Sequence, residues 1–277
     1  MTKIWFITGV GSGLGKALAQ AALARGDTVG GTVRSAEAKA AFEASSPARA
    51  RGFIVDVTDE AALTAAVESL QASDGWIDIL VNNAGYGLVG AIEEASLAEV
   101  RAQFETNVFG PIAAIKAALP LMRRRRAGRI INITSVSGLA VWPGTGVYCA
   151  SKFALEAIGA SLAGEVAELG IKVTNVCPGG LRTDYSGRSL RTTGQSIEDY
   201  EGAGHVPRRA IPEHAGHEPG DPAKAALAIL KVADAVDPPL NLLLGPDAVH
   251  YATQKIATLL AELGQWTTVT HSIDHDA

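Results

Sequence analysis

Residues Thr8-Gly9-Val10-Gly11-Ser12-Gly13-Leu14-Gly15 close the apolar run Lys3-Ile4-Trp5-Phe6-Ile7 and open an alanine-rich stretch, Leu14–Arg25. The pattern predicts a strand, a glycine turn and a helix. Glycines allow the tight turn and let the backbone come close to a pyrophosphate, and the helix start offers unpaired N–H groups and a positive dipole end. A purely structural strand-to-helix turn also uses glycine. The rest of the chain decides between them.

Working outward, Thr28–Val33, Gly52–Val57, Asp78–Val81, Arg129–Thr134, Ile171–Cys177 and Asn241–Leu244 predict further strands. Between them Ser35–Ala44, Glu60–Ala72, Ala98–Arg126 and Gly146–Leu169 predict helices. Strands alternating with helices make an α/β fold with a parallel sheet covered on both faces, doubly wound by right-handed crossovers. No linker or repeat divides the chain, so residues 1–277 read as a single domain. Residues 184–222, rich in Gly, Arg, His and Pro, hold no sustained period and follow the sixth strand's C-terminal end, which predicts a substrate-binding lid. Residues 246–277 read as a C-terminal extension.

Composition narrows the function. With 277 residues, 47% hydrophobic and 19% charged, there is ample material for a core. The balance of 24 Lys+Arg against 29 Asp+Glu leaves −5, which excludes a globally basic nucleic-acid binder and a polybasic membrane anchor. No apolar run approaches the roughly 18 residues of a spanning helix. The apolar run at Lys3 leaves no room for a signal peptide, so a cytoplasmic location is expected. Cys149 and Cys177 make neither a disulfide framework nor a zinc site of the usual spacing. His205, His214 and His217 lack a carboxylate or cysteine at regular spacing and read as solvent-exposed loop histidines, so no metal is expected.

The strand ends carry the cofactor reading. An acid at the end of the second strand would bind the adenosine ribose hydroxyl and repel a 2′-phosphate. This chain has Val33 in that slot and Arg34 beside it, and a guanidinium can hold a phosphate through two charge-assisted bonds. NADP(H) is favoured, with NAD(H) possible. Asp56-Val57 ends the third strand, where a carboxylate can accept from the adenine amino group. Asn82-Asn83-Ala84-Gly85 ends the fourth, where small residues let the backbone lie against the ribose. Tyr148 and Lys152 share one helix face; Ser135 ends the fifth strand and Asn107 lies on the helix before it. A doubly wound sheet brings all four to its C-terminal crevice.

From about Lys3 to Leu244 the chain resembles a classical short-chain dehydrogenase/reductase. The likeness rests on the T-G-x-x-x-G-x-G turn Thr8–Gly15, Asp56-Val57, Asn82–Gly85, Asn107, Ser135, Tyr148-x-x-x-Lys152 and Pro178-Gly179-Gly180-Leu181-Arg182-Thr183. The resemblance implies a Rossmann-type seven-stranded sheet in the order 3-2-1-4-5-6-7. It implies cofactor contacts at Gly9, Ser12, Gly13, Leu14, Gly15, Arg34, Asp56 and Val57, then Asn83, Ala84, Gly85, Pro178, Gly179, Leu181 and Thr183. Tyr148 would be the general acid/base and Ser135 would hold the substrate oxygen. Lys152 would bind the nicotinamide ribose and depress the Tyr148 pKa, and Asn107 would hold a water in the proton relay. The chemistry asks for these groups: a free phenol, pKa about 10, is a poor base until a nearby cation favours phenolate.

Val136, Val141, Trp142, Leu181 and Tyr185 are expected to line an apolar substrate pocket. Residues Ile130–Lys152 with Pro178–Leu190 resemble the branch near 17β-hydroxysteroid and retinol dehydrogenases, which implies an apolar secondary alcohol or ketone. Two functions fit: an NADP(H)-dependent alcohol dehydrogenase or carbonyl reductase, and a non-catalytic dinucleotide-sensing or scaffold protein. A sensor has no need of Asn107, Ser135, Tyr148 and Lys152 together, which favours the enzyme. Family members commonly pair the helices Ala98–Arg126 and Gly146–Leu169 across a two-fold axis, so a homodimer or homotetramer is expected.

Overall fold

The computed structural model describes residues 2–273 and His275. In chain order the elements are β1 (Ile4–Ile7), α1 (Gly13–Ala24), β2 (Thr28–Val33), α2 (Ala36–Ser45), β3 (Ala50–Ile54), α3 (Glu60–Asp74), β4 (Ile79–Asn82) and β5 (Gly87–Val89). There follow α4 (Leu97–Phe104), α5 (Gly110–Arg125), β6 (Gly128–Ile133), α6 (Gly146–Val166), β7 (Ile171–Pro178), α7 (Tyr185–Arg188) and β8 (Leu190–Thr192). The chain ends with α8 (Val206–Glu213), α9 (Pro222–Asp234), β9 (Asn241–Leu244), α10 (Pro246–Gln265) and α11 (Thr267–Thr270). Seven strands form a parallel sheet in the order β3-β2-β1-β4-β6-β7-β9, which is the predicted α/β Rossmann-type winding once the short β5 and β8 are set aside. Apolar residues of α1, α2 and α9 cover one face and those of α3, α5 and α6 the other. Among the described residues no helix is long and apolar enough to cross a membrane.

Three elements differ from the pattern expected of the sequence. The helix over 98–126 is interrupted by a π-turn at Glu105–Phe109. Pro111 has no N–H to give the Asn107 carbonyl in α-helical register, and the helix widens there. The third strand pairs over Ala50–Ile54 rather than 52–57, because Val29–Val33 of β2 sets its register. Residues 184–222 hold α7, β8 and α8, and β8 pairs with β5 in a separate two-stranded parallel sheet. Each piece is too short to show a period. Asp221 then caps α9 through the Ala223 N–H (2.7 Å), with Pro222 at the first helical position.

A row of buried amides crosses the middle of the sheet. Asn82, Asn132 and Asn175 are register partners on β4, β6 and β7. Asn82 Nδ2 donates to Asn132 Oδ1 (2.9 Å), and Asn132 Nδ2 donates to Asn175 Oδ1 (3.0 Å). Asn175 Nδ2 donates to the Glu156 carbonyl (3.0 Å) and to Glu156 Oε2 (2.8 Å) on α6. Asn241, the β9 partner of Asn175, donates to Glu156 Oε2 at 3.2 Å in the amide orientation that satisfies its neighbours. Left unpaired, each buried amide would cost about 1–3 kcal/mol. The row therefore sets strand register and ties α6 to the sheet.

Gly159 makes that approach possible, since a Cβ there would stand 2.0 Å from Asn175 Oδ1 and 2.8 Å from Asn132 Nδ2. Helix propensity alone would make Gly159→Ala stabilising by up to about 1 kcal/mol. Overpacking against the row reverses the sign, and we expect a net loss of about 1–3 kcal/mol in urea unfolding. A gain in stability would show that the row yields freely.

Candidate active site

The glycine turn is built to leave a helix start open. Gly9 (φ 77°) and Gly13 (φ 56°) take left-handed conformations. Asn83 Nδ2 donates to the carbonyls of Thr8 (2.9 Å) and Gly9 (3.0 Å), while Thr8 Oγ1 accepts from the N–H groups of Asn83 and Ala84. A Cβ on Gly15 would meet the Gly9 carbonyl at 2.2 Å, so this glycine serves helix–strand packing. Ser35, Asp59, Ser96 and Asp221 cap their helices, but the Ser12 side chain caps nothing and no acid stands in the first turn of α1. The free N–H groups, positive dipole end and absent Cβ atoms fit a dinucleotide pyrophosphate.

The turn forms one end of a cleft of about 1590 Å³ above the C-terminal edge of the sheet. At that end Gly9, Ser12, Gly13 and Leu14 face Val33, Arg34, Asp56 and Val57. Val33 is buried at 4% exposure, and Arg34 stands in the open beside it. The Thr58 N–H holds the Asp56 carboxyl below its usual range against the opposing effect of burial, helped by the Thr58 hydroxyl and the Arg34 cation. Asn83, Ala84, Gly85, Pro178, Gly179, Leu181 and Thr183 line the central stretch. Gly15 and Asn107 stand outside the lining.

Ser135, Tyr148 and Lys152 meet on the cleft floor. Burial raises the Tyr148 phenol above its ordinary value, and hydrogen bonds from the Ser135 and Tyr185 hydroxyls offset this only partly. Lys152 Nζ lies 5.9 Å from the centre of the Tyr148 ring and donates to the Ile133 carbonyl (2.9 Å). Burial pushes Lys152 down to about 8, against the opposing pull of Glu156 and Cys177. Asn107 sits on the π-turn, 1% exposed. Its Oδ1 accepts from the Tyr86 N–H (3.1 Å), and its Nδ2 donates to the Tyr86 carbonyl (2.9 Å) and Ser151 Oγ (3.1 Å). The side-chain amide is thus engaged by Tyr86 and Ser151.

At the far end, Val136, Trp142, Leu181 and Tyr185 line the cleft as expected positions, but Val141 is 58% exposed and stands outside the lining. Residues the sequence reading passed over join them: Tyr86 under the Arg191 guanidinium (4.6 Å), Tyr251 edge-on to Trp142 (5.2 Å), and Val206, Pro207, Ala210 and Ile211 of α8. The Tyr86 signal was its place directly after Asn-Asn-Ala-Gly.

His205 corrects an expectation. It is 4% exposed, with Nε2 2.6 Å from Glu94 Oε1. The fully buried Glu94 also accepts from Arg208 (3.1 Å) and from the N–H groups of Ile197 (2.6 Å) and Ala91 (2.8 Å). Burial alone would raise this carboxyl; the Ile197, His205, Ala91 and Arg208 contacts outweigh it and hold Glu94 at about 2. No group of three or more metal-binding side chains forms among the described residues.

The profile of the family described as short chain dehydrogenase matches residues 3–193. The chain belongs to this family. It is similar to a solved short-chain dehydrogenase from Streptomyces avermitilis, 41% identical with a TM-score of 0.92 over 99% of this chain and 98% of the other. It is 38% identical to a 3-ketodihydrosphingosine reductase of Bacteroides thetaiotaomicron over 246 residues, 88% of each chain. ElxO, solved with NADP bound, is 27% identical with a TM-score of 0.73 over 88% of this chain and 97% of that one. The short-chain dehydrogenase is thus a catalytic oxidoreductase rather than a scaffold that has kept the fold.

The Lys152 pKa carries a pH signature. Its folded value, about 8, lies below the ordinary 10.5, so the folded state binds fewer protons than the unfolded chain between these values. Stability from this group is present above the unfolded value and is lost as pH falls through 8. We expect Lys152→Met to raise the urea midpoint at pH 7 and to narrow that difference as pH approaches 10. A gap independent of pH would mean that Lys152 is not strained by burial.

Proposed function

We propose that this enzyme interconverts a secondary alcohol and a ketone on an apolar substrate, with NADP(H) as its preferred carrier. The observation that carries the reading is the meeting of Ser135, Tyr148 and Lys152 between the open α1 cradle and an apolar wall. NADP(H), when bound, supplies or accepts the hydride. Ser135 and Tyr148 hold the substrate oxygen, which displaces the Tyr185 hydroxyl from the Tyr148 phenol. Tyr148 gives its proton to that oxygen in reduction and takes it back in oxidation. Lys152 binds the ribose and brings positive charge to the phenol. A relay water falls to the Asn107 backbone carbonyl, which Pro111 leaves without an α-helical donor.

Support for NADP(H) comes from Arg34 with Val33 in the acidic slot, and from ElxO, whose structure holds NADP. The α8 residues with Leu88, Val89 and Trp142 suit a long alkyl or ring substrate, in keeping with the name of the Bacteroides relative and the 17β-hydroxysteroid and retinol dehydrogenase branch. We read residues 184–222 as the lid. A homo-oligomer through α5 and α6 is supported by the exposed Phe109 and Phe153 beside exposed Ala157, Ala160 and Gly164. The free, buried Cys149 and Cys177 fit a cytoplasmic setting.

Arg34→Asp replaces a phosphate ligand with a like charge. A charge-assisted bond is worth about 1.5–3 kcal/mol, so the NADPH KM should rise roughly ten- to a hundredfold while NADH is little affected. Equal loss for both, or a native preference for NADH, overturns the assignment. Tyr148→Phe should lose turnover by about 10²–10⁴ and keep NADPH binding in a fluorescence titration. Substantial ketone reduction by purified Tyr148→Phe removes Tyr148 from the mechanism.

A further inference from the structure

From Thr253 onward the C-terminal helix stands off the body of the protein, and no described residue covers its apolar side. Ala248 and Ala252 of α10 are buried, at 0% and 5% exposure, but every residue from Thr253 to Ile273 is exposed. Among them Ile256, Leu259, Leu260, Leu263 and Trp266 are 47–63% exposed. With Val249 and Ala252 they continue one stripe: 249, 252, 256, 259, 263 and 266 alternate steps of three and four, the spacing of a coiled-coil seam. A free helix of this length is marginal in water, and its apolar stripe demands a cover.

We propose that the stripe is the contact between two copies of this chain, whose α10 helices pair antiparallel about a two-fold axis near residues 257–258. The charges identify the occupant. Beyond Asp247 in the first turn, Lys255 and Glu262 are the only Lys, Arg, Asp or Glu of α10, one heptad apart on the same edge of the seam. The antiparallel register that sets Ile256 against Leu259 of the partner subunit also sets Lys255 against Glu262 of the partner subunit, and the symmetry repeats both contacts. A lone pair of opposite charges with this spacing is self-complementary. A helix for a lipid surface would instead carry several Lys or Arg on its polar face.

The area agrees. The exposed parts of Val249, Ile256, Leu259, Leu263 and Trp266 offer at most roughly 600 Å² per copy, which reaches the lower end, about 1,200 Å² in total, of specific interfaces. The same register brings Trp266 of the partner subunit to Val249, half a turn from the cleft-lining Tyr251. This contact is separate from the α5–α6 face, so a chain using both would form tetramers.

Sedimentation of the full-length protein at micromolar concentration tests the proposal. Leu259→Asp with Leu263→Asp, both at exposed positions, should halve the assembly mass while NADPH binding stays unchanged. Lys255→Glu and Glu262→Lys should each weaken that step at least tenfold at low salt, and the double reversal should restore it. An unchanged mass in the Leu pair, or no restoration by the double reversal, overturns the proposal. So does wild-type binding to phosphatidylcholine–phosphatidylglycerol vesicles that the Leu pair abolishes with no change of mass, which would make a lipid surface the occupant.

Discussion

The position of Ser135, Tyr148 and Lys152 depends on the amide row that joins Asn82, Asn132 and Asn175 to Glu156. A parallel sheet packed by apolar contacts alone accepts many small shifts, but a chain of directional hydrogen bonds at 2.8–3.0 Å accepts very few. Within three residues of each asparagine the chain lines the cleft: Asn83, Ala84 and Gly85 after Asn82, Ile133, Thr134 and Ser135 after Asn132, and Pro178 after Asn175. The row is therefore a common level from which three strand ends are measured out. Glu156 terminates it from α6, one turn after Lys152 and two after Tyr148. Strand ends and catalytic helix are thus set by one network, and a one-residue slip in any strand would break it as well as turn its side chains over.

The same network is a cost to the residues above it. Lys152 is buried against the Ile133 carbonyl, its charge penalised by burial and only partly relieved by Glu156. Tyr148 is held on the neutral side of its range by burial. The protein alone therefore does not poise this pair for neutral pH. Its residues instead leave donors without partners at the α1 start and an open Arg34 at the cleft end, so cationic and anionic groups of a bound dinucleotide complete the electrostatics. Strain of this kind concentrates where function needs it.

How much of this was legible follows from distance along the chain. Tyr148 and Lys152 are four residues apart and the glycine turn is contiguous, so sequence patterns expose them. The seven strands of the large sheet show in apolar runs, although β3 shifts because its partner β2 sets the pairing. Asn132 and Asn175 carry no such signal, since each is a single residue within a strand and the row exists only across strands. His205 and Glu94 are separated by 111 residues, and the histidine therefore read as an exposed loop residue. The π-turn was foreshadowed by Pro111, whose missing donor was not set against the long helical pattern around it. Asp221-Pro222 was a capping signal absorbed into a segment read as irregular.

The Glu94 contacts also bear on how residues 184–222 are held. A carboxylate with a depressed folded pKa contributes stability that is present above the unfolded value, 4.5, and is lost as pH falls toward about 2. Around neutrality Glu94 stays charged, and its bonds to Ile197, His205 and Arg208 persist. His205 and Arg208 lie in the second half of the segment, together with the apolar wall of α8, and Ile197 lies shortly before them. The first half carries Tyr185, whose hydroxyl reaches Tyr148 and whose place is bounded by Gly87, where a Cβ would stand 2.0 Å from that hydroxyl. The α8 side of the segment is thus pinned by a buried charge, and Tyr185 is held by neutral contacts.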